Sequence, residues 1–115
     1  MNSHPRFLQG AHPFEGRGLT EPKPLGAGLI YTVPGDRRAQ LVYFRGGNSS
    51  TELIYALLVR DSEPMRYFPI GARSACHVPL RVVEDLPPDT ELAIHVAAPA
   101  DTAGTIVVDV GIIES

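Results

Sequence analysis

The sequence predicts an all-β protein: an antiparallel β-sandwich of seven to eight strands, immunoglobulin-like or jelly-roll, with an irregular N-terminal arm. Three observations carry that expectation. Apolar side chains alternate with a period of two through the C-terminal third. Turn residues break the chain into short segments, and no segment sustains a 3.6-residue period. Proline and glycine number 11 each, and β-branched residues dominate the patterned segments, which favours many short strands over helices.

The length of 115 residues suits a single domain and one core. A chain of this size buries roughly 65% of its unfolded surface, enough to fold without staples. Its single cysteine, Cys76, leaves no intramolecular disulfide to form. With a net charge of −3 there is no general surface for phosphate, so nucleic acid is not an expected partner. The start of the chain lacks the basic and apolar regions of a secretory signal. The apolar run at 53–59 falls far short of the ~20 residues that span a bilayer. A soluble protein of a virion or the cytoplasm, with no membrane partner, is expected.

Residues 1–24 hold four prolines, and their large apolar side chains after Met1 are Phe7, Leu8, Phe14 and Leu19. Proline removes a backbone donor, so this segment is expected to be an irregular arm. It is either a disordered tail or an arm laid across a neighbouring subunit and anchored by Phe7 and Phe14. The β-sandwich domain then occupies 25–115. A strand is expected over 25–34, a turn at 35–37, a return strand over 38–45 and a tight reversal or bulge at GlyGlyAsnSerSer 46–50. The strand at 51–60 ends at AspSerGluPro 61–64, and the short 65–69 segment, flanked by proline, is expected at an edge or in a turn-rich crossover. GlyAlaArgSer 71–74 leads into three runs over 78–113, broken at 87–90 and 99–104, which are expected to form an antiparallel meander.

In that meander Val78, Leu80 and Val82, then Leu92, Ile94 and Val96, then Ile106, Val108, Val110 and Ile112 form the inward rows. The opposite face is apolar too, with Val83, Ala93, Ala97, Val107 and Ile113. Segment 53–59 is apolar on both parities, with Leu53, Tyr55, Leu57 and Val59 on one and Ile54, Ala56 and Leu58 on the other. Strands apolar on both faces are covered on both, either by the arm or by another subunit. Phe7, Phe14, Ile54, Leu58, Val83, Val107 and Ile113 are therefore the expected contacts of a homo-oligomer within a larger assembly.

Catalytic patterns fare less well. Cys76 and His77 adjoin, but neighbours on a strand point to opposite faces, so they form no nucleophile and base pair. His77 and His95 share an outer parity yet fall on the order of 10 Å out of register, too far for one metal ion. His95 and Asp109 are expected as a cross-strand polar pair. AsnSerSer 48–50 reads as turn chemistry, and GlyAlaGly 26–28 and GlyGly 46–47 lack the helix that makes a phosphate cradle. Glu84 and Asp85 diverge as neighbours. No catalytic residue, cofactor or metal is expected. The alternatives are a carbohydrate- or protein-binding module using Tyr31, Tyr43 and Tyr67 as stacking surfaces, and a cupin-like metalloenzyme through His77 and His95.

The residues IleTyrThrValProGlyAspArgArgAla at 30–39, AsnSerSer at 48–50, AspLeuProProAspThrGluLeuAlaIleHisVal at 85–96 and GlyThrIleValValAspValGlyIleIleGlu at 104–114 follow a recurring layout. It resembles that of small β-sandwich structural proteins of tailed bacteriophages and phage-like particles, over about residues 29–114. The family pattern has an Ala-Gly-Asp turn where this chain has ProProAsp, and LeuIleTyrAlaLeuLeuVal is unusually apolar. The resemblance implies a non-enzymatic virion component, such as a head decoration, fibre or tail protein, working as a homo-oligomer.

Overall fold

Alternating side chains need a core on one side, and strands need neighbours to bond; the chain supplies both from its own length except at the outermost strand of each sheet edge. A computed structural model describes residues 3–80 and 84–115. Among them are ten strands and one short 3-10 turn. In chain order these are β1 (His4–Glu15), β2 (Lys23–Pro24), the 3-10 turn (Ala27–Leu29), β3 (Ile30–Thr32) and β4 (Ala39–Asn48). There follow β5 (Ile54–Arg60), β6 (Glu63–Ile70), β7 (Ala75–Pro79), β8 (Asp85–Leu86), β9 (Glu91–Ala97) and β10 (Ala103–Glu114).

One sheet runs β1-β10-β4-β7 with β8 also beside β4; the other runs β2-β9-β5-β6 with β3 also beside β9, and every pairing is antiparallel. β2 with β3, and β7 with β8, thus each fill a single strand position. With those counted once, every connection except the β5–β6 hairpin crosses from one sheet to the other. That is the jelly-roll topology, one of the two sandwich types expected. The strand count is ten rather than seven to eight, because two strand positions are each split into two segments, β2 with β3 beside β9 and β7 with β8 beside β4.

The inward rows read from the sequence hold. Leu92, Ile94, Val96, Ile106, Val108, Val110 and Ile112 are all buried in the core, and Val78 and Leu80 pack against it; Val82 lies outside the described residues. Phe44 of β4 and Phe68 of β6 stack at 4.2 Å, bridging the two sheets. Full burial of a side chain of this size is worth about 2 kcal/mol or more.

Three expectations are corrected. The first 24 residues are not irregular throughout, since residues 4–15 form a 12-residue strand in continuous register with β10. Proline stands there without cost because its missing N–H falls on the free edge. The meander is absent: β9 lies in the opposite sheet from β7 and β10. Its period-two rows are real, but they face one another across the core instead of sharing one wall. GlyGlyAsn 46–48 lies inside β4, not in a reversal. A Cβ at Gly46 would come within 2.8 Å of Ile70 Cδ1 and Phe44 Cε1, so the inner side chains use the space that glycine leaves. Segment 65–69 lies at a sheet edge as expected, within the longer β6, which is joined to β5 by a tight turn in which Asp61 (φ 47°) and Ser62 (φ 69°) both adopt positive φ.

Candidate functional site: the outer faces of the sandwich

Each sheet has an outer face, and the odd-numbered residues of β5 and β9 build one of them. Leu57, Val59 and Ala93 form a small buried cluster there, with Tyr55 against it. In register, Tyr67 and His95 flank Leu57, while Ala93 stands between Val59 and Ile30. Part of this face is covered by the N-terminal segment. β2 pairs with β9, Gly18 donates its N–H to the Ala98 carbonyl at 2.8 Å, and the Tyr55 hydroxyl donates to the Leu19 carbonyl at 2.7 Å. The rest stays open: Leu19, Ile30 and Tyr67 are 39%, 45% and 57% exposed. His95 sits within the band, and its burial lowers the imidazole pKa, favouring the neutral ring.

The outer face of the other sheet is shaped by small residues. Gly47 lies between Val107 and Ala75, and Gly111 lies between Phe7 and Tyr43. A Cβ on Gly111 would meet Tyr43 Cε2 at 2.1 Å, so the phenol ring lies directly on the β10 backbone. From there the Tyr43 hydroxyl donates to Asp109 at 2.9 Å, and His77 meets the Tyr43 ring edge-on at 6.0 Å. Burial, then the Asp109 contact, raises the Tyr43 pKa, keeping it a donor. Beside this unit, Arg45, Gly46, Gly47, Ala75, Cys76, His77, Val107 and Asp109 line an open depression of about 610 Å³.

A third cluster lies at the end of β10. Glu114 is 1% exposed and accepts hydrogen bonds from the Tyr31 hydroxyl and from Arg37 at 2.8 Å, with Arg6 at 3.5 Å. Burial alone pushes the Glu114 carboxyl up, but the Tyr31 and Arg37 hydrogen bonds and the two guanidinium charges outweigh it and hold the pKa below its ordinary value. Burial, with Glu114 as acceptor and negative neighbour, raises the Tyr31 pKa. These groups tie β1, β3, the β3–β4 loop and β10 together, and they satisfy one another.

The expected contact residues divide. Phe14, Ile54 and Leu58 are buried within the chain's own core, so their place as subunit contacts is corrected: the inner faces consume them. Phe7 (54% exposed) and Val107 (51%) are open on the outer face of the β1-β10-β4-β7 sheet, and Ile113 is half-buried there. Val83 lies outside the described residues. The expected pairing of His95 with Asp109 is corrected as well, because the two stand on opposite sheets. His77 and His95 are separated in the same way, so they hold no common metal ion. Among the described residues no three His, Cys, Asp or Glu side chains gather as a metal site. Cys76 is half-buried against the core while His77 is exposed, and burial pushes the thiol pKa up. Tyr31, Tyr43 and Tyr67 lie at three separate places and share no stacking platform. Sequence reasoning missed the Tyr43–Gly111–Asp109 unit, for which no local signal exists: residues 43 and 111 meet only through the β4–β10 pairing. No helix among the described residues is long and apolar enough to cross a membrane. No protein-family model and no curated protein matches this chain.

Proposed function

We propose that the protein is a non-enzymatic assembly module that associates with copies of itself inside a larger particle. The observation behind this reading is the band on the outer face of the β2-β9-β5-β6 sheet, where exposed Ile30 and Tyr67 border the buried Leu57, Val59 and Ala93. Exposed apolar side chains beside a buried apolar cluster are the kind of surface that closes against another subunit. Exposed Phe7 and Val107 give the opposite face a second, smaller apolar area. A virion or phage-like particle is the setting that the sequence layout suggests.

Sedimentation velocity over a range of micromolar concentrations tests the reading. The unmodified protein is expected to associate, and Ile30→Glu with Tyr67→Glu to reduce that association without lowering the thermal midpoint. A monomer at every concentration overturns it. A second reading, a ligand-binding module, is favoured by the depression beside Arg45, His77 and Asp109. It predicts that a panel of small saccharides shifts the NMR signals of Val107 and His77; no shift at millimolar saccharide excludes it for that class.

A further inference from the structure

Among the described residues β1 pairs only with β10, so one of its sides is a free edge, and the sequence decides what that edge offers. In an antiparallel pair, a residue that turns its N–H to the partner also turns its C=O there, and its neighbours turn both groups away. The register sets His4 opposite Glu114 and Glu15 opposite Ala103 without interruption. Gly16 extends it by donating its N–H to the Thr102 carbonyl at 2.6 Å. The even-numbered residues of β1 therefore face β10, and the odd-numbered ones face outward.

Pro5 and Pro13 fall in the outward set, where the missing N–H breaks no bond to β10. Between them Phe7, Gln9 and Ala11, all exposed, present three N–H and three C=O groups in a row. The other sheet edges offer shorter runs. β7 ends at Pro79, β6 carries Pro64 and Pro69, and β2 is two residues long. The two β1 prolines stand symmetrically, four positions on either side of Gln9.

We infer that this edge receives the same edge of a second copy, antiparallel about a two-fold axis at Gln9. Gln9 then lies opposite Gln9 of the partner subunit, and Phe7 lies opposite the partner subunit's Ala11. The three pairs form about six backbone hydrogen bonds, two for each pair. Pro5 meets Pro13 of the partner subunit where neither has a donor to lose. Moving the axis to Leu8 sets Ala11 against Pro5 of the partner subunit. Moving it to Gly10 sets Phe7 against Pro13 of the partner subunit. Either shift leaves two doubly bonded pairs in place of three, each flanking pair keeping a single bond, so the Gln9 register is the one in which every proline falls outside the bonded run. Large Phe7 across from a small alanine is also a better fit than two phenylalanines across one axis. A two-fold contact uses the same edge on both copies and closes there, joining two five-stranded sheets into one. This contact rests on the reading of the protein as an assembly module and specifies one of its joints.

Gln9→Pro adds a third proline to the outward set and leaves the β1–β10 bonds intact. Sedimentation velocity is expected to show dimer dissociation about thirtyfold or more easier than in the unmodified protein, with the thermal midpoint unchanged. Gln9→Cys in a Cys76→Ser background is expected to oxidise to a disulfide-linked dimer, since directly opposed residues on such a pair lie about 5.5 Å apart at Cα. If Gln9→Pro does not fold, the cross-link alone decides. Association that is undiminished by Gln9→Pro, or absence of the cross-link in an associating protein, overturns the edge contact and leaves the assembly reading standing. An unmodified protein that remains monomeric overturns both.

Discussion

Glu114 is the one charged side chain that is buried among the described residues, and it is answered by Tyr31, Arg37 and Arg6. Removing one member of a buried ionic cluster leaves the others uncompensated, so Glu114→Ala is expected to cost about 2–4 kcal/mol in urea unfolding. Its folded pKa lies below the unfolded one. The stabilisation is therefore complete above the unfolded carboxyl pKa near 4.3 and disappears as pH falls through the depressed folded value. Tyr31 runs the other way: its pKa is raised, so its contribution is complete below about 10 and fades as pH rises beyond. Acid and alkaline unfolding of Tyr31→Phe and of the unmodified protein check both signs, the variant losing the alkaline step. Gly111 is constrained by contact: Gly111→Ala drives a Cβ into the Tyr43 ring and is expected to cost about 1–3 kcal/mol by thermal unfolding. Asn48 was legible only as turn chemistry. It is buried, directs its amide to the carbonyls of Glu52, Ile70 and Gly71, and accepts from Ser50, pinning the ends of β4 and β6 together.

At the scale of elements, the strand at the N-terminus is the main departure from the sequence expectation. The prolines of 1–24 argue for irregular chain on local grounds, yet Pro5 and Pro13 both fall on the open side of β1. Parity decides that, and parity belongs to the pairing with β10, about a hundred residues away in the chain. The buried Leu8 and Phe14 make the strand part of the core. Deleting residues 1–15 is therefore expected to uncover the β10 edge and give a destabilised, aggregating protein, as measured by soluble yield and thermal midpoint. A loose arm would be lost with no change in either. The β5–β6 turn is the opposite case, since AspSerGluPro marked it locally and positive φ at Asp61 and Ser62 confirms a two-residue hairpin. Ser62→Gly relieves the left-handed backbone and is expected to stabilise by about 0.5 kcal/mol in urea unfolding.

For the whole molecule, the jelly roll makes nearly every strand depend on a distant one. β1 joins β10, β4 lies between β10 and β7, and β5 is reached by β9 across the intervening β6 to β8. Loops of that span must close before their contacts reward them, so stopped-flow refolding is expected in the millisecond-to-second range. The same crossing connections leave each sheet with an outer face of its own, one banded with Ile30, Leu57 and Tyr67, the other floored by Gly47 and Gly111. The proposed association through such a face belongs to this scale, because no single strand contains that surface, and the β1 edge is free only because β1 ends its sheet.

The amino-acid sequence determined the class of the fold and the inside of each strand. A period of two is a local property, and Leu92, Ile94, Val96, Ile106, Val108, Val110 and Ile112 all went to the core as that period requires. It also marked β5 as apolar on both parities, and the structure splits them between the main core and the Leu57, Val59 and Ala93 cluster. Only the tertiary structure decided which strands are neighbours. Alternation fixes the face a side chain takes but not the partner its backbone bonds, so the supposed meander became strands of two facing sheets. His95 and Asp109, adjacent on paper, ended on opposite sides of the sandwich. Tyr43 and Asp109, far apart along the chain, came to share a hydrogen bond.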